Sequence, residues 1–275
     1  MSIITLTSDY GLRDHFVGAL KGKIFSEFPE ARVIDISHDI DAFNTVEAAY
    51  IIEAAYSSFP KGSVHIIGVD MEFGPNNPHI AMLWNGHYFV CADNGILSLL
   101  IQEIIPEKIV SINIHDRLPE HAAGLDVFVT VGCHLAKGGQ LNVIGREIQE
   151  IREITELKPV VSDDKASLKG YVIYIDHFGN VVTNISKKLF SEIAKGRDYE
   201  IVLRESVNQT GLGSIRKIRN RYGDIVTSKN QNYDGEKLAL FNEAGMLEIA
   251  LYKSNGLKTG GASKLLGLRY RDAIT

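Results

Sequence analysis

Four separated blocks of this sequence put carboxylates, amides and a histidine at the ends of apolar runs, where a small molecule could be held and acted on. In the first, TSDYGLRDH, Asp9 follows a β-branched run (Ile3 to Thr7) and Asp14 precedes an apolar-periodic segment that begins at Phe16. Two carboxylates thus share one short loop at the C-terminal end of an expected parallel strand, the place where open α/β sheets usually hold ligands. The same residues admit a plainer role, with Asp14 capping a helix and Asp9 turning the chain. The second block, SVHIIGVD, is an apolar strand that stops on Asp70 and is followed by the loop MEFGPNNPHI, which carries Asn77 and His79. The third, GYVIYIDHFGNVVTNI, ends a strand on Asp176 and turns through Phe178, Gly179 and Asn180 into the next strand. Alone it reads better as a hairpin with an ordinary polar turn. The fourth, Asn242-Glu243-Ala244-Gly245, is a turn between two expected strands.

The elements that must position these residues fall into two groups. Up to about residue 158, strand and helix patterns alternate: strands at Ile3–Thr7, Arg32–Ile36 and Ser63–Val69, and helices from Phe16, over Asn44–Ser57, over Leu97–Glu103 and over Gly124–Lys137. Asn44 with Glu47 three residues on is a capping-box pair, and Asn85-Gly86 between Ile80–Trp84 and His87–Ala92 marks a tight hairpin. The alternation predicts an N-terminal α/β domain (residues 1–158) with a largely parallel sheet covered on both faces. A polar linker (159–168) follows. Residues 169–275 carry short β runs with one helical stretch, Lys187–Lys195, and predict a small β-barrel.

Composition narrows the partners. A formal net charge of −5 argues against nucleic acid or an anionic membrane surface, and the basic run Arg216, Lys217, Arg219, Arg221 reads as a solvated face. Cys91 and Cys133 lack CxxC spacing and lie in apolar runs, so reduced thiols in a cytoplasmic protein are expected. No leader pattern or membrane-length apolar run is seen. Asp35, His38 and Asp39, with Asp9 and Asp70, could supply oxygen and nitrogen ligands to a metal. Asp35, however, alternates with Ile34 and Ile36 along a strand and no second histidine has helical metal spacing, so no metal is expected.

Taken in order, TSDYGLRDHFVGALKG, VHIIGVD, ADNGILS, GLDVFVTVGCHLAKG and IDHFGNVVTNI resemble one family over nearly the whole chain. This is the S-adenosylmethionine (SAM) hydroxide adenosyltransferases, adenosine-forming SAM hydrolases related to the SAM-dependent fluorinase and chlorinase. The resemblance implies an α/β domain, a short linker and a C-terminal β-barrel. It also implies a homotrimer with sites at subunit interfaces, and SAM as substrate with no cofactor. For the site it implies that Asp9 holds the ribose hydroxyls and Phe43 lies near the ribose. Asp14 belongs near the methionine end, Asp176 accepts from the methionine ammonium, and Asn180 reads the adenine edge. Tyr222 is a candidate stacking ring, and Asn242 and Ala244 face the methionine carboxylate, with backbone N–H groups as donors.

For the chemistry the family uses an aspartate, an arginine seven residues later and a histidine before a Gly-Arg-Asp-Ile-Phe stretch. Together they orient and polarise a water for attack on the ribose C5′. Here Asp70 is present, Asn77 stands at the arginine position, and Ala123 at the histidine position, with Leu125 in place of the second arginine. His79 and His121 are candidate substitutes. The implied function is hydrolysis of SAM to adenosine and methionine. The alternatives are a SAM- or adenosine-binding protein without turnover and a same-fold enzyme acting on another adenosyl compound.

Overall fold

A computed structural model describes residues 3–101, 104–119, 122–154, 157–203, 214–258 and 260–275. The chain divides into two compact units, Met1–Ile154 and Thr155–Thr275.

The first unit carries β1 (Ile3–Ser8), α1 (Phe16–Glu27), β2 (Arg32–Ser37), α2 (Thr45–Tyr56), β3 (Val64–Gly68), β4 (His79–Trp84), β5 (His87–Ala92) and α3 (Ile96–Leu100). These are followed by β6 (Lys108–Ile112), α4 (Gly124–Ala136), α5 (Leu141–Ile144) and β7 (Gly145–Glu147). The strands form one sheet in the order β2-β1-β3-β5-β4-β6-β7. The expectation of a largely parallel sheet needs correcting here. β2-β1, β1-β3 and β3-β5 pair in parallel, but β5-β4, β4-β6 and β6-β7 are antiparallel, so the sheet is mixed. The cause is the hairpin itself. Asn85 and Gly86 both take positive φ (50° and 77°), the conformation of a two-residue turn, and fold β4 back against β5.

All five residues of β3 are buried, as befits a central strand covered on both faces. One core joins Leu20 and Ile24 of α1 and Phe128 and Val131 of α4 to Leu6 and Ile66 of the sheet. A second joins Ile52 of α2 and Leu97 of α3 to Ile67, Met82 and Phe89. Gly132 lets α4 lie directly on β3, since a Cβ there would meet Ile66 Cδ1 at 2.5 Å. The Asn44 cap forms as expected: its side chain accepts from Glu47 N, and Glu47 Oε2 accepts from Asn44 Nδ2 and Asp41 N. Asp14 does not cap α1. His15 occupies the N-cap position, without a side-chain bond.

The second unit carries β8 (Val160–Val161), β9 (Leu168–Ile175), β10 (Val181–Ser186), α6 (Lys187–Ala194), β11 (Ile218–Arg219), β12 (Lys237–Phe241), β13 (Met246–Leu251), α7 (Ala262–Leu265) and β14 (Ala273–Ile274). The stretch expected as a linker thus holds β8, which pairs antiparallel with the start of β9. The main order is β11-β12-β13-β10-β9-β14. Short bridges close it into a ring. Thr275, next to β14, exchanges two hydrogen bonds with Val202, and Ile201 exchanges two with Ile215, just ahead of β11. The barrel interior is apolar: Val172, Val181, Leu247, Ile249 and Leu251 are among its buried residues. Outside the barrel, Ile225 and Tyr233 pin the segment after β11 onto Leu238, Leu240 and Ala250. The polar loop 226–236 is therefore anchored to the outer face of β12 and β13.

Candidate active site

The first unit collects its candidate residues along one edge of the sheet, where β1, β2, β3 and β5 end. Asp9 immediately follows β1. Its Oδ2 accepts from Phe43 N at 3.0 Å, which ties the loop after β1 to the loop after β2. Phe43 adopts φ 63°, and its ring is 71% exposed. Beneath Asp9, His38 fixes the turn twice: its carbonyl accepts from Gly11 N at 2.7 Å, and its Nδ1 lies 2.6 Å from Ser8 Oγ. His38 Nε2 reaches Asp35 Oδ1 at 3.1 Å, and Lys21 Nζ reaches Asp35 Oδ2 at 2.6 Å. Asp35 and His38, weighed above as metal ligands, are thus spent on each other, Lys21 and Ser8. Asp14 is exposed and forms no hydrogen bond or ion pair among the described residues. Tyr10 donates to Met71 Sδ, and burial, with Asp9 nearby, pushes its hydroxyl up to about 12.

Asp70 follows β3 with φ 45°, a left-handed position uncommon for a residue with a side chain. Two amides clamp its backbone. Asn94 Nδ2 donates to the carbonyls of Val69 (2.9 Å) and Asp70 (3.2 Å), and Asn77 Nδ2 donates to those of Asp70 (2.8 Å) and Glu72 (2.9 Å). The Asp70 carboxylate itself has no partner among the described residues. Asn77 therefore faces the loop backbone that Asp70 belongs to.

His79 is fully buried at the head of β4. Its Nε2 is 2.9 Å from the carbonyl of Met71, which can only accept, so Nε2 carries the proton. Its Nδ1 then accepts from His115 Nε2 at 3.2 Å. Both ring nitrogens are engaged, and burial, the largest influence, drives its pKa down to about 4. His115 stacks on Phe73 with ring centroids 4.0 Å apart, leaving its Nδ1 unpartnered among the described residues. His121 lies outside the described residues. Ala123 is the N-cap of α4, and its N–H donates to Asp126 Oδ2 at 2.9 Å.

The second unit gathers Asp176, Asn180, Tyr222 and Asn242 into one network. The Asp176 carboxylate accepts from Asn180 N (2.8 Å) at one oxygen and from Asn180 Nδ2 (2.9 Å) at the other. Asn180 Nδ2 lies 3.5 Å from Tyr222 Oη, whose hydroxyl donates to Glu248 Oε1, and Asn242 Nδ2 donates to Glu248 Oε2 at 3.3 Å. Gly179, at φ 77°, makes the tight turn, with Gly261 packed so close that a Cβ would meet its Cα at 2.7 Å. In the Asn242–Gly245 turn, Gly245 N donates to Asn242 O and Met246 N to Asn242 Oδ1, while Ala244 N bonds to nothing among the described residues. Glu243 is exposed.

Glu248 was not singled out from the sequence. It is 4% exposed. Burial raises its carboxyl, the bonds from Tyr222 and Asn242 oppose that rise, and Asp176 adds to it. The available signal was one acid inside the otherwise apolar strand MLEIAL. Asn94, quoted within ADNGILS without a role, is the other omission; an amide directly after a buried strand was its signal.

The comparisons with known proteins give the chain's family. Residues 4–145 match the model of the SAM hydroxide adenosyltransferase N-terminal domain, and residues 170–275 match that of the C-terminal domain. The chain belongs to the SAM hydroxide adenosyltransferase family. It is 30% identical over 280 residues to the (R)-S-adenosyl-L-methionine hydrolase of Methanocaldococcus jannaschii, covering 100% of this chain and 95% of that protein. It is 26% identical over 224 residues to the fluorinase of Nocardia brasiliensis, covering 70% of this chain and 74% of that protein. Among solved structures, an uncharacterized conserved protein from Thermotoga maritima matches with a TM-score of 0.82 at 29% identity, over 99% of this chain and 98% of that one.

Proposed function

We propose that this protein hydrolyses S-adenosylmethionine at C5′ of the ribose, giving adenosine and L-methionine. The observation that carries the reading is the pairing of a full-length likeness to a SAM hydrolase with four side chains, Asp9, Asp70, Asp176 and Asn180, at loop positions matching the family's blocks. In the reaction a water oxygen bonds to C5′ as the C5′–S bond breaks. The bonding pair passes to sulfur, so methionine leaves as a neutral thioether, and one water proton is released. Because the leaving group needs no proton, water positioning and removal of that proton dominate the requirement. Asp70 supports this role: its backbone is clamped by Asn77 and Asn94 while its carboxylate stays unpartnered among the described residues. Asp9 holds the ribose hydroxyls with its remaining acceptor sites. Phe43 borders the ribose and Asp14 the methionine end, while Asp176 and Asn180 receive the ammonium and the adenine edge. Ala244 N–H offers a donor to the methionine carboxylate.

The assembly proposed is a homotrimer with sites at subunit interfaces; light scattering on the eluting protein tests it, and a monomer overturns it. We place the protein in the cytoplasm, with no nucleic-acid or membrane partner and no cofactor. No helix among the described residues is long and apolar enough to cross a membrane.

A second reading, a binder without turnover, is favoured by the closed state of His79 and by Asn77 facing the backbone. Incubation with SAM and chromatography of the products separates the two. Equal adenosine and methionine support hydrolysis, tight binding without products supports the binder, and the absence of both products and binding overturns both readings.

A further inference from the structure

His79 is closed to a ligand, but it holds a second histidine that is not. β5 runs parallel to β3, and His79 at the head of β4 lies opposite Ala92, the last residue of β5. Ile80 lies opposite Ser111, near the end of β6. His115, in the short helical turn His115–Arg117 just after β6, thus stands on the same edge of the sheet as Asp70 and Asn94. The loop that leads away from Asp70 reaches both histidines. Its Met71 carbonyl accepts from His79 Nε2 at 2.9 Å, and its Phe73 ring stacks on His115 with centroids 4.0 Å apart. Gly124 presses on the same pair, since a Cβ there would meet His79 Cε1 at 3.0 Å and Met71 O at 3.3 Å.

The protons in this cluster can be placed one by one. A carbonyl only accepts, so His79 Nε2 carries a hydrogen and Nδ1 of the neutral ring is an acceptor. His115 Nε2, 3.2 Å away, must then donate to it. That leaves His115 Nδ1 as a free lone pair, which bonds to nothing among the described residues. His115 is half-buried, whereas His79 is fully buried. One ring nitrogen held by a fixed acceptor and the other left open is the arrangement of an oriented base.

We propose that His115 is the catalytic base of the hydrolysis and that His79 is the positioning residue that fixes its tautomer. This rests on the hydrolase reading above. As the water oxygen bonds to C5′ and the C5′–S pair passes to sulfur, one water proton moves to His115 Nδ1. The ring becomes an imidazolium whose Nε2–H still donates to His79, and the half-buried side chain returns the proton to solvent. Asp70 then orients the water and holds charge close to it, while His115 takes the proton. The titratable and charged groups on the elements around His115 are Asp70 and Glu72 in the loop that carries Phe73, His79 on β4, and Asp116 and Arg117 in its own turn. Burial lowers the His115 pKa from its ordinary value, and Asp116 opposes that fall.

The test is the pH profile of adenosine formation from SAM by the full-length protein and its His115→Gln variant. A glutamine NH2 can still donate to His79 Nδ1, so the structural bond survives while the base is removed. The unsubstituted protein should lose rate in acid as His115 takes up a proton. The variant is expected to lose about 10²- to 10⁴-fold in kcat with KM nearly unchanged, and to lose that acid limb with it. A variant that keeps its rate, or that loses rate but keeps the acid limb, overturns the inference while leaving the hydrolase reading intact. Should it fail to fold, His115→Ala with added imidazole carries the test. Recovery that follows the concentration of unprotonated imidazole supports the base, and absence of recovery overturns it. Failure of the unsubstituted protein to turn over SAM overturns the hydrolase reading itself, and this inference with it.

Discussion

Asp70 and Asp176 occupy comparable places, each just past the end of a strand and each leading a tight turn, yet the two units use them in opposite ways. Around Asp70 the amides of Asn77 and Asn94 grip backbone carbonyls, and the carboxylate has no partner among the described residues. Around Asp176 the side chain is engaged at both oxygens, and the bonds run on through Asn180 and Tyr222 to Glu248. A carboxylate held by its backbone is ready to act on something that arrives. A carboxylate held at both oxygens is fixed in place, which under the proposed function suits recognition. Asn77 and Ala123 fit the same division: Asn77 steadies the Asp70 loop, and Ala123 starts a helix.

This contrast can be broken by substitution. The largest effect is expected for Asp70→Asn, which removes the charge with little change in size. Turnover should fall by about 10²- to 10⁴-fold, with SAM affinity nearly unchanged. Asp176→Asn should do the reverse, weakening SAM binding by about ten- to a hundredfold with a smaller effect on the rate, because half-buried charge-assisted bonds to Asn180 are lost. If the two variants had the same signature, the division of labour would be wrong.

His79 sharpens the comparison from the stability side. His79→Ala deletes a buried ring and the bonds at both its nitrogens, and should cost about 2–4 kcal/mol, read by denaturant titration. The same histidine sets a pH dependence. Its ordinary pKa is 6.5 and its folded value is about 4, so between these the unfolded chain binds a proton that the folded chain does not. Stability should therefore be lost as pH falls from about 6.5 toward about 4, with His65, lowered to about 3 by burial, extending the loss. Melting temperature against pH measures this, and His79→Gln should flatten the upper part of the curve. The smallest effect is expected for Asn77→Ala. It strips a donor from two carbonyls, costing about 1–2 kcal/mol and slowing turnover modestly through a looser Asp70.

Much of the fold was legible because local signals and burial agreed. Asn44 with Glu47, Asn85-Gly86 and the apolar run before Asp70 each specify one structure by short-range chemistry. The mixed sheet was only partly legible: the β4–β5 hairpin was, but β6 and β7 were not, and the place of β4 between β5 and β6 is a long-range choice. In the site, single residues at strand ends could be named, but their partners could not. Asn94 and Asp70 are 24 residues apart, Tyr222 and Glu248 26, and His115 and His79 36. Only the folded sheet brings such pairs together. For the same reason His79 looked like an available base, when its neighbours leave it none of its lone pairs.

The most direct test is to run the reaction with SAM in oxygen-18 water and weigh the products. Attack at C5′ predicts adenosine carrying one heavy oxygen at its 5′ hydroxyl, together with an equal amount of unlabelled methionine. Recovery of intact SAM, or of methylthioadenosine with the label in the amino-acid fragment, would contradict the account.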